Sequence, residues 1–138
     1  MNRRIYITLS LIILALALPA GLAAQQKINK KNLVIKEWNT NAKGVAKCLD
    51  HITTYSPEGR KIDETEYDSN GKQKWRKRYE YGPDGKLSRE LLYDERNRLV
   101  NYKKFEYNEF GKKKMQYTYD AKGRLQGTKI YEYISEDV

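Results

Sequence analysis

Tyr79-Glu80-Tyr81-Gly82-Pro83-Asp84-Gly85-Lys86-Leu87 contains the pattern that decides the fold. A tyrosine leads into a short run of turn-forming residues, which ends in a glycine and a basic side chain. Working outward, tyrosines recur at Tyr55, Tyr67, Tyr81, Tyr93, Tyr107, Tyr119 and Tyr133, with gaps that alternate between 12 and 14 residues. Four residues after each of the first six stands Gly59, Gly71, Gly85, Asn97, Gly111 or Gly123. A fixed internal period marks a chain built from copies of one small unit.

The residues between tyrosine and glycine are those of a tight hairpin. Asn41–Gly44, Ser56–Gly59, Asp68–Gly71, Gly82–Gly85, Asp94–Asn97, Asn108–Gly111 and Asp120–Gly123 each suit a type I turn closed by a left-handed residue. A first-position Asp, Asn or Ser accepts bonds from backbone amides ahead, and proline at the second position (Pro57, Pro83) pre-sets φ. Seven turns predict eight antiparallel strands, near 31–40, 45–55, 60–67, 72–81, 86–93, 98–107, 112–119 and 124–133. The expected fold is all-β, a single-layer twisted antiparallel meander of seven to eight strands.

Hairpins of a common register would place Tyr67 opposite Gln73, Tyr81 opposite Leu87, Tyr93 opposite Leu99 and Tyr119 opposite Leu125. Strict alternation along each strand then puts the rings on one side: Trp75, Tyr79, Tyr81, Leu91, Tyr93, Phe105, Met115, Tyr117 and Tyr119. Charged residues gather on the other, with Glu66 opposite Lys74, Glu64 opposite Arg76, Arg78 opposite Glu90, Glu106 opposite Lys86 and Lys114, and Lys112 opposite Glu132. In that register Tyr79, Arg89, Lys103 and Tyr117 form one row across four strands of the ring-bearing face.

The ends have a different composition. Arg3 and Arg4, the apolar run Ile5–Leu18 and the small-residue finish Pro19–Ala24 have the layout of a secretory signal peptide. Residues 1–24 are therefore expected to be removed and 25–138 to form one domain, exported to the periplasm or beyond the cell, with no stable membrane insertion. Two of the 27 basic residues and none of the 18 acidic ones lie in 1–24, so the +9 of the whole chain becomes +7 for the remainder. The single cysteine, Cys48, allows no internal disulfide and reads as a small buried strand residue.

Tyr117-Thr118-Tyr119-Asp120-Ala121-Lys122-Gly123-Arg124-Leu125 resembles the YD repeat of bacterial Rhs and related β-shell proteins, and Tyr79–Leu87 resembles it with Gly82 in place of Asp. Poorer copies begin at Tyr55, Tyr67, Tyr93 and Tyr107, so the likeness covers about residues 53–133. A signal peptide followed by a short run of such repeats resembles small exported bacterial proteins of unassigned function. In large proteins these repeats build shells, some enclosing a toxin, and the copies here are too few to enclose another domain. The resemblance implies a fold and no activity. A weaker likeness, to aromatic cell-wall-binding repeats, departs from them in unit length.

No catalytic chemistry is legible. His51 is the only histidine, and no serine or cysteine is placed by sequence to be its nucleophile. Metal-ligand spacings and phosphate-binding glycine loops are missing, so neither cofactor nor metal is expected. The ring-bearing face supplies the candidate binding residues Trp75, Lys77, Tyr79, Arg89, Lys103 and Tyr117. Rings stack on sugar faces while Arg and Lys meet carboxylate, sulfate or phosphate. The sequence thus suggests a non-enzymatic module that binds a polyanionic glycan or an envelope protein, with nucleic acid excluded as a partner by export. The alternative is a structural envelope protein whose ring face only drives self-assembly, for instance as a homodimer.

Overall fold

The structure, a computed structural model, describes residues 28–45 and 47–135; the expected signal segment 1–24 lies outside the described residues. Strands β1 (Val34–Thr40), β2 (Lys47–Tyr55), β3 (Lys61–Tyr67), β4 (Gln73–Tyr81), β5 (Leu87–Tyr93), β6 (Leu99–Tyr107), β7 (Lys113–Asp120) and β8 (Leu125–Ile130) form one antiparallel sheet in chain order. Each strand packs only against its neighbours in sequence, and no helix occurs among the described residues. The protein is an open, single-layer, eight-stranded meander.

The turns form as their chemistry dictates. In all seven, the fourth-position amide donates to the first-position carbonyl at 2.8–3.0 Å. The fourth residue has φ between 59° and 80°, and Asn97 is the single non-glycine there. Asp68 Oδ1 accepts from the amides of Asn70 and Lys72, each at 2.9 Å. Asp94, Asn108 and Asp120 repeat the arrangement. Gly82 has no side chain for this, and Asp84 substitutes by accepting from Lys86 N at 3.0 Å.

The tyrosine pairs next to the turns stand as the sequence implies: Tyr67 faces Gln73, Tyr81 faces Leu87, Tyr93 faces Leu99 and Tyr119 faces Leu125. One step further in, the register changes. Ile62, Lys74, Ser88, Val100, Lys114 and Gln126, each three residues past the left-handed position, have no partner on the strand behind them. In the β1–β2 hairpin the unpaired residue is Asp50. An extra residue of this kind is a β-bulge, and it reverses the parity of everything that follows on that strand.

The expected segregation of rings from charges is therefore overturned. Glu66 pairs with Trp75 and Glu64 with Lys77, while Arg76 pairs with Thr65. Arg78 opposes Leu91, and Glu90 opposes Tyr79. Glu106 faces Met115. Of the expected ion pairs, Lys74 with Glu66 forms, made by the bulge residue itself. One side of the sheet carries His51, Glu64, Trp75, Lys77, Tyr79, Glu90, Lys103 and Phe105; we call it the Trp75 face. The opposite, Leu91 face carries Arg76, Arg78, Arg89, Tyr93, Tyr102, Lys104, Met115, Tyr117 and Tyr119.

Among the described residues no side chain is wholly buried, and Leu91, 7% exposed, is the one buried apolar residue. Cohesion comes instead from the backbone ladder and from a tyrosine staple repeated in three hairpins. Tyr81, Tyr107 and Tyr133 donate their phenol protons to the carbonyls of Lys61, Leu87 and Lys113 at 2.7, 2.8 and 2.8 Å, each 20 residues upstream. Every staple closes the end of a hairpin that its turn leaves open. Arg60 and Lys86 cover the first two of these rings, at 5.6 and 5.4 Å from the centroids.

Two stability measurements test this construction. At Gly71 a Cβ would meet nothing within 4 Å, so its φ of +75° is the only obstacle to substitution. Gly71→Val is expected to cost about 1–3 kcal/mol, and Gly71→Asn, which reproduces the Asn97 solution, a small fraction of that. Equal losses in urea unfolding would contradict the left-handed assignment. Tyr107→Phe keeps the ring and loses only the bond to Leu87, so it should cost about 0.5–1.5 kcal/mol; a neutral effect would remove the staple from the account.

Candidate functional site

On the Trp75 face, strands β2, β3 and β4 bring together a polar cluster around Glu64. His51 Nε2 lies 3.2 Å from Glu64 Oε1, Lys61 Nζ lies 3.2 Å from Oε2, and the Tyr79 phenol donates to Oε2 at 2.6 Å. Burial pushes the Glu64 carboxyl up, yet the hydrogen bonds from Tyr79 and Lys61, with the charge of Lys61, hold it below its ordinary value. Burial, followed by the bond to Glu64, drives the Tyr79 phenol far above its ordinary range. His51 packs edge-on against Trp75 at 5.7 Å, and Lys77 lies over the same indole at 5.1 Å. Further along, Lys103 pairs with Glu90 at 3.4 Å. Acids and bases on this face largely satisfy one another, and Glu64 is occupied on both oxygens.

The Leu91 face is different where β5, β6 and β7 meet. Arg89 stands directly opposite Lys104, and Lys104 opposite Tyr117. One row inward, Tyr102 and Tyr119 stack with centroids 5.0 Å apart and planes 12° from parallel. Arg89 covers the Tyr102 ring at 5.0 Å and Lys104 covers the Tyr119 ring at 5.4 Å, so a cation lies over each ring of the pair. Glu80 meets Arg89 at 3.1 Å, leaving the buried Arg89 Nε without an acceptor. Among the described residues, no carboxylate lies within ion-pair distance of Lys104. An open depression of about 470 Å³ runs beside this array, bordered by Ser88, Arg89, Lys104, Glu106, Tyr117 and Tyr119.

The six residues singled out from the sequence fall on both sides of the sheet. Trp75, Lys77, Tyr79 and Lys103 share the Trp75 face, whereas Arg89 and Tyr117 lie on the Leu91 face. The expected row is thus two rows: Tyr79, Glu90, Lys103 and Thr118 on one side, Glu80, Arg89, Lys104 and Tyr117 on the other. A continuous ring-covered face for homodimer stacking is divided in the same way. Tyr102, Lys104 and Tyr119 are the functional candidates that sequence reasoning missed. Their grouping depends on the unpaired residues, which stand at a fixed distance past each left-handed position but have no residue type in common: Ile62, Lys74, Ser88, Val100, Lys114 and Gln126 share no chemistry.

Among the described residues, no group of three or more His, Cys, Asp or Glu side chains is placed to hold a metal. Cys48 is a free, half-buried thiol. No helix among the described residues is long and apolar enough to cross a membrane.

The Glu64 cluster makes acid stability testable. A carboxyl held below its ordinary 4.5 in the folded state contributes stability present above that pH and lost as pH falls through the lowered value. Glu64→Gln should lower stability at neutral pH by roughly 1–2 kcal/mol and flatten the decline below pH 4.5. Parallel acid-unfolding curves for the two proteins would show that Glu64 contributes nothing to it. No family model matches this chain, and no curated protein matches it.

Proposed function

We propose that this protein is a non-catalytic exported module that captures a polyanionic glycan on its Leu91 face. The observation that carries the reading is the placement of Arg89 and Lys104 side by side above the stacked Tyr102–Tyr119 pair. Like charges directly opposite one another in a sheet are destabilising. Glu80 offsets one of the two. An anionic group between Arg89 and Lys104 would offset the other, and would supply the acceptor that Arg89 Nε lacks. The Tyr117 ring and the depression beside it offer a surface on which a pyranose ring can rest.

Glycan fits this surface better than a small metabolite does. The depression is open and shallow, and enclosed pockets bury most of a small ligand. Repeating anionic chains make up for weak single contacts by engaging many of them, and the +7 charge of residues 25–138 favours their approach. The signal-like leader places the encounter at the cell envelope, where acidic polysaccharides occur. The YD-like period contributes the scaffold and no activity to this reading.

Titration calorimetry with sulfated and uronic-acid oligosaccharides tests the reading. Arg89→Ala with Lys104→Ala should weaken capture by about tenfold or more, given roughly 1.5–3 kcal/mol for a charge-assisted bond, and should reduce its salt dependence. Lys103→Ala, on the opposite face and paired with Glu90, should leave affinity unchanged. A wild-type protein that binds no polyanion, or an equal loss in both variants, would overturn the proposal.

A further inference from the structure

The Trp75 face carries a charge rung that repeats once per hairpin. Glu37 pairs with His51, Glu64 with Lys77, Glu90 with Lys103 and Gln116 with Lys129. The second member of each pair recurs every 26 residues, from His51 through Lys77 and Lys103 to Lys129. The first three rungs include a carboxylate and the fourth does not. Lys129 therefore stands on β8, an outer strand exposed along all six of its residues, opposite an amide that cannot neutralise it. At the other edge Glu37 stands exposed on β1. Its partner His51 reaches Glu64 of the next hairpin, Nε2 to Oε1, at 3.2 Å.

At the β2–β3 junction the second member of the earlier rung thus meets the carboxylate of the later one. The β8 edge offers Lys129 in the position of His51, and the β1 edge offers Glu37 in the position of Glu64. Among the described residues, no strand pairs with the outer side of β1 or β8, and such an edge is the usual template for strand addition.

We propose that β8 of one molecule receives β1 of a second copy, so that the sheet continues from chain to chain with Lys129 against the partner's Glu37. Charge distribution favours this occupant. On the Trp75 face Glu37 is the one charged side chain that β1 presents, and Lys129 the one that β8 presents. A β8–β8 or β1–β1 contact would bring like edges together. Addition of β1 to β8 is head-to-tail, so it generates open chains rather than a closed dimer.

A charge exchange tests the proposal. The protein is purified in the form that cells accumulate, and its mass is followed by sedimentation velocity across a concentration series. Wild type should grow beyond dimer as concentration rises, and less so in high salt. Glu37→Lys alone and Lys129→Glu alone should each weaken association roughly five- to tenfold. Mixing the two variants should restore it, because each then offers the edge that the other requires; misfolded variants could not rescue one another. As a second probe on the unaltered protein, a peptide of residues 33–41 should occupy β8 and halt growth. Wild type that stays monomeric, growth that stops at dimer, or association indifferent to both substitutions and to the peptide would each overturn the proposal.

Discussion

A sheet with water on both sides has no interior to hold its strands together, so each hairpin must be fixed at both ends by directed bonds. At one end the turn does this, with a left-handed residue and a first-position side chain that accepts two amides. At the other end Tyr81, Tyr107 and Tyr133 reach across to a carbonyl of the neighbouring strand. Apolar burial contributes little, since Leu91 alone is buried among the described apolar residues. The tyrosines at 12- and 14-residue spacing are thus two alternating sets. One set staples hairpins, and the other, Tyr67, Tyr93 and Tyr119, stands beside the opposite row of turns.

That division explains which parts of the fold could be read from the chain. Turns are local, and Asp68, Pro83 or Gly85 announces its own backbone geometry, so strand number, order and the ends beside the turns followed, whereas β1 starts at Val34 and β8 stops at Ile130, three residues inside the expected 31 and 133. The pairs nearest the turns, such as Tyr81 with Leu87, followed too. Parity beyond them did not, because a bulge is set by how two strands twist against each other, with no residue type that encodes it. Lys74, Ser88 and Val100 occupy equivalent positions and have nothing in common. One uncounted residue per hairpin was enough to send Tyr117 to one side and Tyr79 to the other. The binding-site reading suffered most, since a site depends on which side chains share a face.

The bulges also have an electrostatic consequence. Full segregation would have left one greasy face and one ionic face, a combination prone to uncontrolled stacking. Mixing rings with charges gives both faces a polar character while retaining local cation–ring contacts, each worth about 0.5–1 kcal/mol when exposed. On the Trp75 face the charges cancel in rungs and around Glu64. On the Leu91 face Glu80 offsets Arg89 but, among the described residues, no carboxylate offsets Lys104, and that imbalance distinguishes a candidate site from the surrounding scaffold.

Repetition carries the argument to the edges. In a structure where each strand meets only its neighbours, stability is a sum over hairpins and the contacts between them. An internal hairpin has two such contacts and an outer one has a single contact, so β1 and β8 are the least supported strands. Repeat proteins commonly blunt this weakness with a terminal unit of altered chemistry. The last hairpin here is altered at Gln116, where the preceding two have Glu64 and Glu90. That change removes the carboxylate from the outermost rung and leaves Lys129 with its charge unmatched. It deters a second Lys129-bearing edge from pairing there, while a strand that presents a carboxylate on this face, as β1 does with Glu37, is left free to do so.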